Sequence, residues 1–343
     1  PDPSPAGATA AREVMNTANR AFIAILVVGL GGYLLLGAAA CGLVGFAAYR
    51  LSIGGTDALR DVWPALVFLS LVGTGTVLGF LSLRRQIGAT SKLDEHIFHR
   101  RLPPSPRLER AAQRTGLKRR VHEVDEPAPF SFTYGLFRPS VVVSRALVEA
   151  TSDEELDAVL IHERYHVRNF DPVKLLIVRT LPSAFFFLPT LRDFRSRYLA
   201  GRELAADHRA LQRRGRGPLA RAIYKVVAGP SWAEFGPAAA LGGPQFLEAR
   251  VAQLESGAEP PPPPLSPVRM AMSAAGATLL LAALGVAAAT GSFGAMGSMR
   301  SMEDMHRMSW MGPLGAVGMT LWFAFWAWVA WILVRAVVRR QRG

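Results

Sequence analysis

Apolar residues in this chain are gathered into long uncharged blocks separated by charged stretches. Phe22 to Tyr49 and Val62 to Leu83 contain no charged residue, and neither do Met270 to Met299 and Leu314 to Val334. Each block reaches the roughly 20 residues that a helix needs to cross the hydrocarbon core of a bilayer. The pattern therefore predicts four membrane-spanning helices, at 22–49, 62–83, 270–299 and 314–334. A single run of this kind could be a buried core helix, or a signal peptide in the case of the first, but no single soluble core needs four. The first run is also too long for a signal h-region and is followed by a second span, so cleavage is not expected.

The chain between the second and third blocks has a different texture. Ser105-Pro-Arg-Leu-Glu-Arg-Ala-Ala-Gln-Arg-Thr-Gly116 carries a helix cap, proline at the first helical position and a terminating glycine. Val121 to Val124, Phe130 to Thr133 and Val141 to Ser144 alternate or cluster as strands, the last two turning around Gly135. Ser152-Asp-Glu-Glu155 is a capping box that opens a helix ten residues before His162. Val173 to Leu191 is apolar except for Lys174 and Arg179 and is broken by Pro182 and Pro189, with Phe185-Phe-Phe187 at its centre. We expect a helical hairpin there, packed on the membrane surface or against the spans, followed by a longer helix from about Leu191. Pro260 to Pro264 cannot be helix or sheet and predicts a stiff extended spacer into the third span. A proline-rich ligand for another protein is the less favoured alternative.

Composition sharpens this picture in two places. Half of the 343 residues are hydrophobic and the mean hydropathy is +0.21, above that of an ordinary soluble enzyme. The net charge is +13, and arginines and lysines cluster at the ends of the spans. Arg84, Arg85, Lys92, Arg100 and Arg101 follow the second, and Arg335, Arg339, Arg340 and Arg342 follow the fourth. The loops Arg50 to Asp61 and Arg300 to Pro313 each balance two arginines with two acids. With Arg12 and Arg20 at the N-terminus, all four spans agree on an orientation with both termini and residues 84–259 in the cytoplasm. Much of the charge is accounted for by anchoring and by attraction to anionic lipid. No DNA-binding motif is present, and direct nucleic-acid binding is not expected. The single cysteine, Cys41, lies inside the first span, which leaves neither a disulfide framework nor a thiolate metal site.

Candidate chemistry centres on His162-Glu163-Arg-Tyr-His166, an HExxH motif on the capped helix. Histidines four apart lie one above the other on a helix face, where both imidazoles can bind one zinc ion. Glu163, facing the open side, can act as general base toward an attacking water. A hydrolytic zinc site wants a third protein ligand. Gly201-Arg202-Glu203-Leu-Ala-Ala-Asp207-His208 supplies Glu203 as that ligand, with Asp207 one helical turn on to orient a ligand histidine or an arginine. The competing interpretation makes Glu203 and Asp207 a solvated acidic face paired with Arg202 or Arg209. His208, Arg209 and Tyr224 are candidates to stabilise the oxyanion of a tetrahedral intermediate. His96, His99 and His122 have no ligand spacing and are expected at the surface.

Phe130-Ser-Phe-Thr-Tyr-Gly135-Leu-Phe-Arg-Pro139, Val141-Val-Val-Ser144, Asp153 to His162, and Arg202-Glu203-Leu-Ala-Ala-Asp207 follow one another in an order that resembles the BlaR/MecR-type membrane metallopeptidases. The HtpX-like and CAAX-processing membrane peptidases share the HExxH and ExxAD pattern, while the Gly-Leu-Phe-Arg-Pro stretch favours the first family. The resemblance implies a plasma-membrane zinc endopeptidase, mainly α-helical. Its α+β zincin-type (gluzincin) domain, 84–259, would be inserted after an N-terminal segment 1–83 and followed by a proline-rich linker 260–268 and a C-terminal membrane segment 269–343. It further implies signal transduction by an antirepressor peptidase, whose substrate is a cytoplasmic repressor or the peptidase itself. Beta-lactam sensing is not expected, because no large sensor domain follows the last span. Two alternatives remain open. One is a quality-control or processing protease of the HtpX or CAAX type, and the other is a non-catalytic accessory subunit of a larger membrane complex.

Beside the metal, the edge strand of such a domain could take a substrate backbone by strand addition, or simply pack beneath the active-site helix. A last pattern stands apart. Met296, Met299, Met302, Met305, Met308 and Met311 recur at a strict three-residue step with His306 among them, in a loop expected to face outward. That step drifts around a helix and gives no apolar stripe. Thioether sulfur suits Cu(I), so a copper-sensing loop is one interpretation and a flexible membrane-surface loop the other.

Overall fold

The computed structural model describes residues 18–53, 58–228 and 246–287. The fourth apolar run, the end of the third and the methionine-rich stretch with His306 lie outside the described residues. Among the described residues, three helices are long and apolar enough to cross a membrane: within α1 (18–53), within α2 (Ala58–His99), and α10 (Pro267–Ala287). Helix α1 contains one π-helical turn, Val27–Gly31. At 1.5 Å per residue, α2 is roughly 60 Å long, about twice the hydrocarbon thickness. It does not end where its apolar block does, because nothing after Leu83 stops a helix. Its charged half instead lays Leu93 and Ile97, one turn apart, against Val124, Phe130, Phe132 and Val142.

The described chain forms two compact units. The first takes residues 18–24, 81–180, 192–228 and 246–264 and holds a four-stranded mixed sheet: β1 (Arg101–Leu102), β2 (Val121–Val124), β3 (Ser131–Tyr134) and β4 (Ser140–Ser144), in the order β1-β2-β4-β3. β2 and β4 are parallel, while β1 and β3 run antiparallel to their neighbours. Among the described residues β3 is therefore an edge strand, and Gly135 starts its reversal into β4 with φ at 89°. Helix α3 (Pro106–Thr115) begins at a Ser105 cap and ends on Gly116 in the left-handed region, as its sequence predicts. α4 (Arg145–Ala150) leads to α5 (Asp153–Arg168), whose capping box joins Ser152 and Glu155. Leu156, Val159, Leu160 and Val167 of α5 share a buried core with Leu108 of α3, Val141 and Val143 of β4 and Ala222 of α8 (Arg216–Ala228).

Two buried acids near the start of α5 fix its neighbours. Glu155 accepts hydrogen bonds from Arg221 and Lys225 of α8. Asp157 accepts from Arg114 of α3 and from Arg214 at the end of α7 (Thr190–Arg214). Phe170, a non-glycine residue at φ 53°, reverses the chain into α6 (Asp171–Ala184). The proline run is neither helix nor strand, and it is tied down: Arg197 of α7 donates to the Pro263 carbonyl at 2.7 Å.

The second unit takes residues 25–53, 58–80, 181–191 and 265–287. The turn that carries Phe185-Phe-Phe187 therefore sits with the spans, the second of the two placements expected for the hairpin. Two glycines let it do so. A Cβ on Gly75 of α2 would collide with the Ala184 carbonyl oxygen, and a Cβ on Gly276 of α10 with that of Phe187. Backbone oxygens cannot move aside as a flexible side chain can. Thr190 completes the contact by donating its N–H to Ser273 at 2.9 Å.

Candidate active site

Helical periodicity puts His162 and His166 on one face of α5, and α7 brings Glu203 up to them. One ligand atom from each residue lies within 4.8 Å of the others, and all three residues are buried. The two imidazole Nε2 atoms face one another at 3.1 Å. Glu203 Oε2 is 3.5 Å from the His162 Nε2, and Oε1 is 3.8 Å from that of His166. A tetrahedral zinc with nitrogens at about 2.05 Å would hold two of them roughly 3.3 Å apart. The spacing fits that ion.

The rings point inward because their far nitrogens are held. His162 donates through Nδ1 to Asp207 at 2.8 Å, and His166 through Nδ1 to Asp171 at 2.5 Å. Asp207 in turn accepts two hydrogen bonds from Arg250 of α9 (Leu247–Ser256), at 2.6 and 2.8 Å. Arg202 donates to Glu203 Oε1 at 2.6 Å, and Tyr198 to Asp171 at 3.3 Å. Glu203, expected as a ligand, is thus placed beside both imidazoles, and Asp207, expected to orient one, is placed on His162 Nδ1. The competing pairing with Arg202 is also present, but inside the protein, where Arg202 and Glu203 are each 2% exposed.

Charge gives a second test of the fit. Glu163, Asp171, Glu203 and Asp207 are buried together with the guanidiniums of Arg202 and Arg250. Four carboxylates against two guanidiniums leave a charge of −2, which a divalent cation balances. Burial works against the charges of Glu203 and Asp207, yet Arg202 beside the first and Arg250 beside the second hold both below the usual carboxylate range. Burial also opposes a charge on His162, but the hydrogen bond to Asp207 prevails and pushes it up to about 9. With no metal bound, a proton on His162 answers part of the same charge deficit.

Glu163 is aimed by the edge strand. Ser131 Oγ donates to its Oε1 at 2.9 Å, and Thr133 Oγ1 to its Oε2 at 2.8 Å. The oxyanion candidates are not gathered here. His208 and Arg209 hydrogen-bond with Gln212, and Tyr224 is 72% exposed on α8. Their positions beside the Glu203 motif or on the next helix place them near in sequence, but the helix turns His208 and Arg209 off the ligand face. His96 is likewise not a free surface group, since its Nε2 lies 2.5 Å from buried Glu126.

Sequence reasoning missed Arg250, Asp171, Ser131 and Thr133. Asp171 had a signal: it is a carboxylate five residues after His166, where Asn169 to Pro172 must turn the chain back. Arg250 had none, because nothing in its own stretch marks which of many arginines will reach a carboxylate 43 residues away.

Comparison with known proteins agrees with this chemistry. Among curated relatives, a protease HtpX homolog of Janthinobacterium sp. (strain Marseille) is 30% identical over 169 residues, covering 45% of this chain and 57% of the relative. One from Halobacterium salinarum is 28% identical over 225 residues, covering 55% and 76%. One from Bordetella avium is 37% identical over 76 residues, covering 22% and 26%. The chain thus spans little more than half of the Janthinobacterium relative and about a quarter of the Bordetella one. No solved structure matches it significantly. The family described as BlaR1 peptidase M56 matches residues 53–254, more than half of the chain. With its candidate membrane helices and its buried two-histidine, one-glutamate cluster, this chain belongs to the M56 (BlaR1) peptidase family.

Proposed function

We propose that this protein is a membrane zinc endopeptidase of the gluzincin type in which His162, His166 and Glu203 hold zinc and Glu163 is the general base. The observation that carries the proposal is the convergence of those three ligands in a buried, negatively charged pocket whose imidazoles are already oriented by Asp207 and Asp171. Zinc held there would polarise the scissile carbonyl and acidify the attacking water. The chain supplies the rest. Glu163 takes the water's proton and passes it to the leaving amine, and Asp207 and Asp171 keep the ligand imidazoles in the tautomer that presents Nε2. The outer edge of β3 would receive an extended substrate backbone.

The substrate is a protein. Family membership supports a signalling role, in which the peptidase domain, 84–259, faces the cytoplasm and cleaves a repressor or itself when an outward signal arrives. Arginine placement at the span ends supports that orientation. Copper as the signal rests on the methionine-rich stretch alone. A second assignment, membrane-protein quality control, is favoured by the relatives named as HtpX proteases.

Zinc content per chain, with casein cleavage, tests the catalytic assignment in detergent-purified protein. Wild type should hold close to one zinc. His162→Ala and Glu203→Ala should lose it, and Glu163→Gln should keep it while losing activity. Zinc that survives Glu203→Ala would refute the ligand set. Cleavage of a repressor encoded beside this gene, against cleavage of a misfolded membrane protein, separates the two roles.

A further inference from the structure

Glu163 is 5% exposed, and a carboxylate at that depth must be hydrogen-bonded to stay charged and fixed. Its partners are two hydroxyls from one strand. Side chains of a strand alternate between faces, so Ser131 and Thr133 point together toward α5, while Phe132 and Tyr134 turn to the opposite side, into the cluster around Phe130 and Val142. Each carboxylate oxygen accepts from a different hydroxyl. Thr133 Oγ1 also lies 3.2 Å from the Glu163 backbone oxygen, but a hydroxyl has one proton, and the shorter, charge-assisted bond to Oε2 takes it.

We infer that Ser131 and Thr133 are positioning residues for the general base, holding the plane of the Glu163 carboxylate from the edge strand. This rests on the proposed role of Glu163. Two donors on two oxygens stop rotation about the last side-chain bond and leave one lone pair on each oxygen free to take a proton from water. Because β3 has no strand on its outer side among the described residues, the same four residues would position the base on one face and border the substrate along the edge.

The test uses full-length, zinc-loaded protein and compares Thr133→Val and Ser131→Ala with the hydroxyl-retaining Thr133→Ser and Ser131→Thr. Thr133→Val keeps volume and strand preference while removing the donor. Casein cleavage should fall about 10- to 100-fold in kcat for Thr133→Val, with KM and zinc content unchanged, and Thr133→Ser should recover most of it. Ser131→Ala should act in the same direction, with Ser131→Thr recovering. A peptidyl hydroxamate, which chelates zinc and donates to the base, gives a readout that needs no substrate; its affinity should drop in Thr133→Val and return in Thr133→Ser. Loss of zinc in Thr133→Val, equal defects in Val and Ser variants, or wild-type behaviour in both single variants would overturn the inference. If Glu163→Gln itself cleaves and binds hydroxamate like wild type, or if wild type does neither, the base assignment fails and takes this one with it.

Discussion

Replacing Asp207 with asparagine changes almost no volume but removes the charge that holds two buried partners. Asp207 is fully buried, and the Arg250 side chain is 11% exposed. The neutral amide would leave that guanidinium inside the protein without the carboxylate it is bonded to, which costs about 3–5 kcal/mol when one member of a buried pair is removed. It would also replace the charged acceptor of His162 Nδ1 with a neutral one. Loss of such an outer contact typically weakens zinc binding about 10- to 100-fold, or roughly 1.4–2.8 kcal/mol. Arg250→Met strands the Asp207 carboxylate in its turn, but the bond to His162 remains. In the double variant Asp207→Asn/Arg250→Met no buried charge is left unpaired, so its destabilisation should fall short of the sum of the singles by about 1–3 kcal/mol. Zinc affinity should not recover with it, because His162 still lacks its carboxylate. Thermal unfolding of the detergent-solubilised protein reads the first quantity, and competition with a chelator reads the second. Additive stabilities, or wild-type zinc affinity in Asp207→Asn, would refute the argument that Arg250, Asp207 and His162 act as one chain.

Other consequences follow from the same geometry. Because the metal-free site holds a proton on His162 up to about pH 9, and a zinc ligand must be neutral, zinc binding at pH 7 should release a proton; apparent affinity should rise with pH and level off near 9, as titration calorimetry in two buffers will show. Burial opposes the charge of Glu155, but Lys225, the Ser152 N–H and Arg221 bring its pKa down to about 2 from 4.5. Its contribution is therefore full above pH 4.5 and is lost as the pH falls toward 2; with partners 33% and 57% exposed it amounts to about 1–2 kcal/mol, so the deficit of Glu155→Gln in thermal unfolding at pH 7 should vanish by about pH 2. Gly276→Val should lower the unfolding temperature by forcing apart α10 and the phenylalanine turn, at a cost of about 1–3 kcal/mol, while valine at Gly285, where a Cβ meets nothing, should be neutral.

What could be read in advance divides along a physical line. Short-range rules were enough for helix α5: a serine and a glutamate three apart cap it, a four-residue step aligns its histidines, and an acid four residues past Glu203 faces the same way. The second, third and fourth strands and the capped helix α3 were legible for the same reason, since their determinants lie within a few residues. The path of α2 was not, because charge ends the membrane block at Leu83 while Leu93 and Ile97 extend the helix for a purpose visible only once Phe130, Phe132 and Val142 are in place. The Phe185 turn was expected near the spans, but the two carbonyls that require glycine at 75 and 276 belong to a segment about a hundred residues from either glycine in sequence, and no local pattern joins them. The candidate site shows the same limit most sharply. Ligand residues announce themselves through helical spacing, whereas the groups that aim them need only a compatible charge and the right place in space. Arg250 could be any arginine, and Ser131 and Thr133 any hydroxyls on a strand. What selects them is the burial of Glu163 and Asp207: each is a charge that must be satisfied where water does not reach, so whichever donor the fold delivers becomes part of the candidate site.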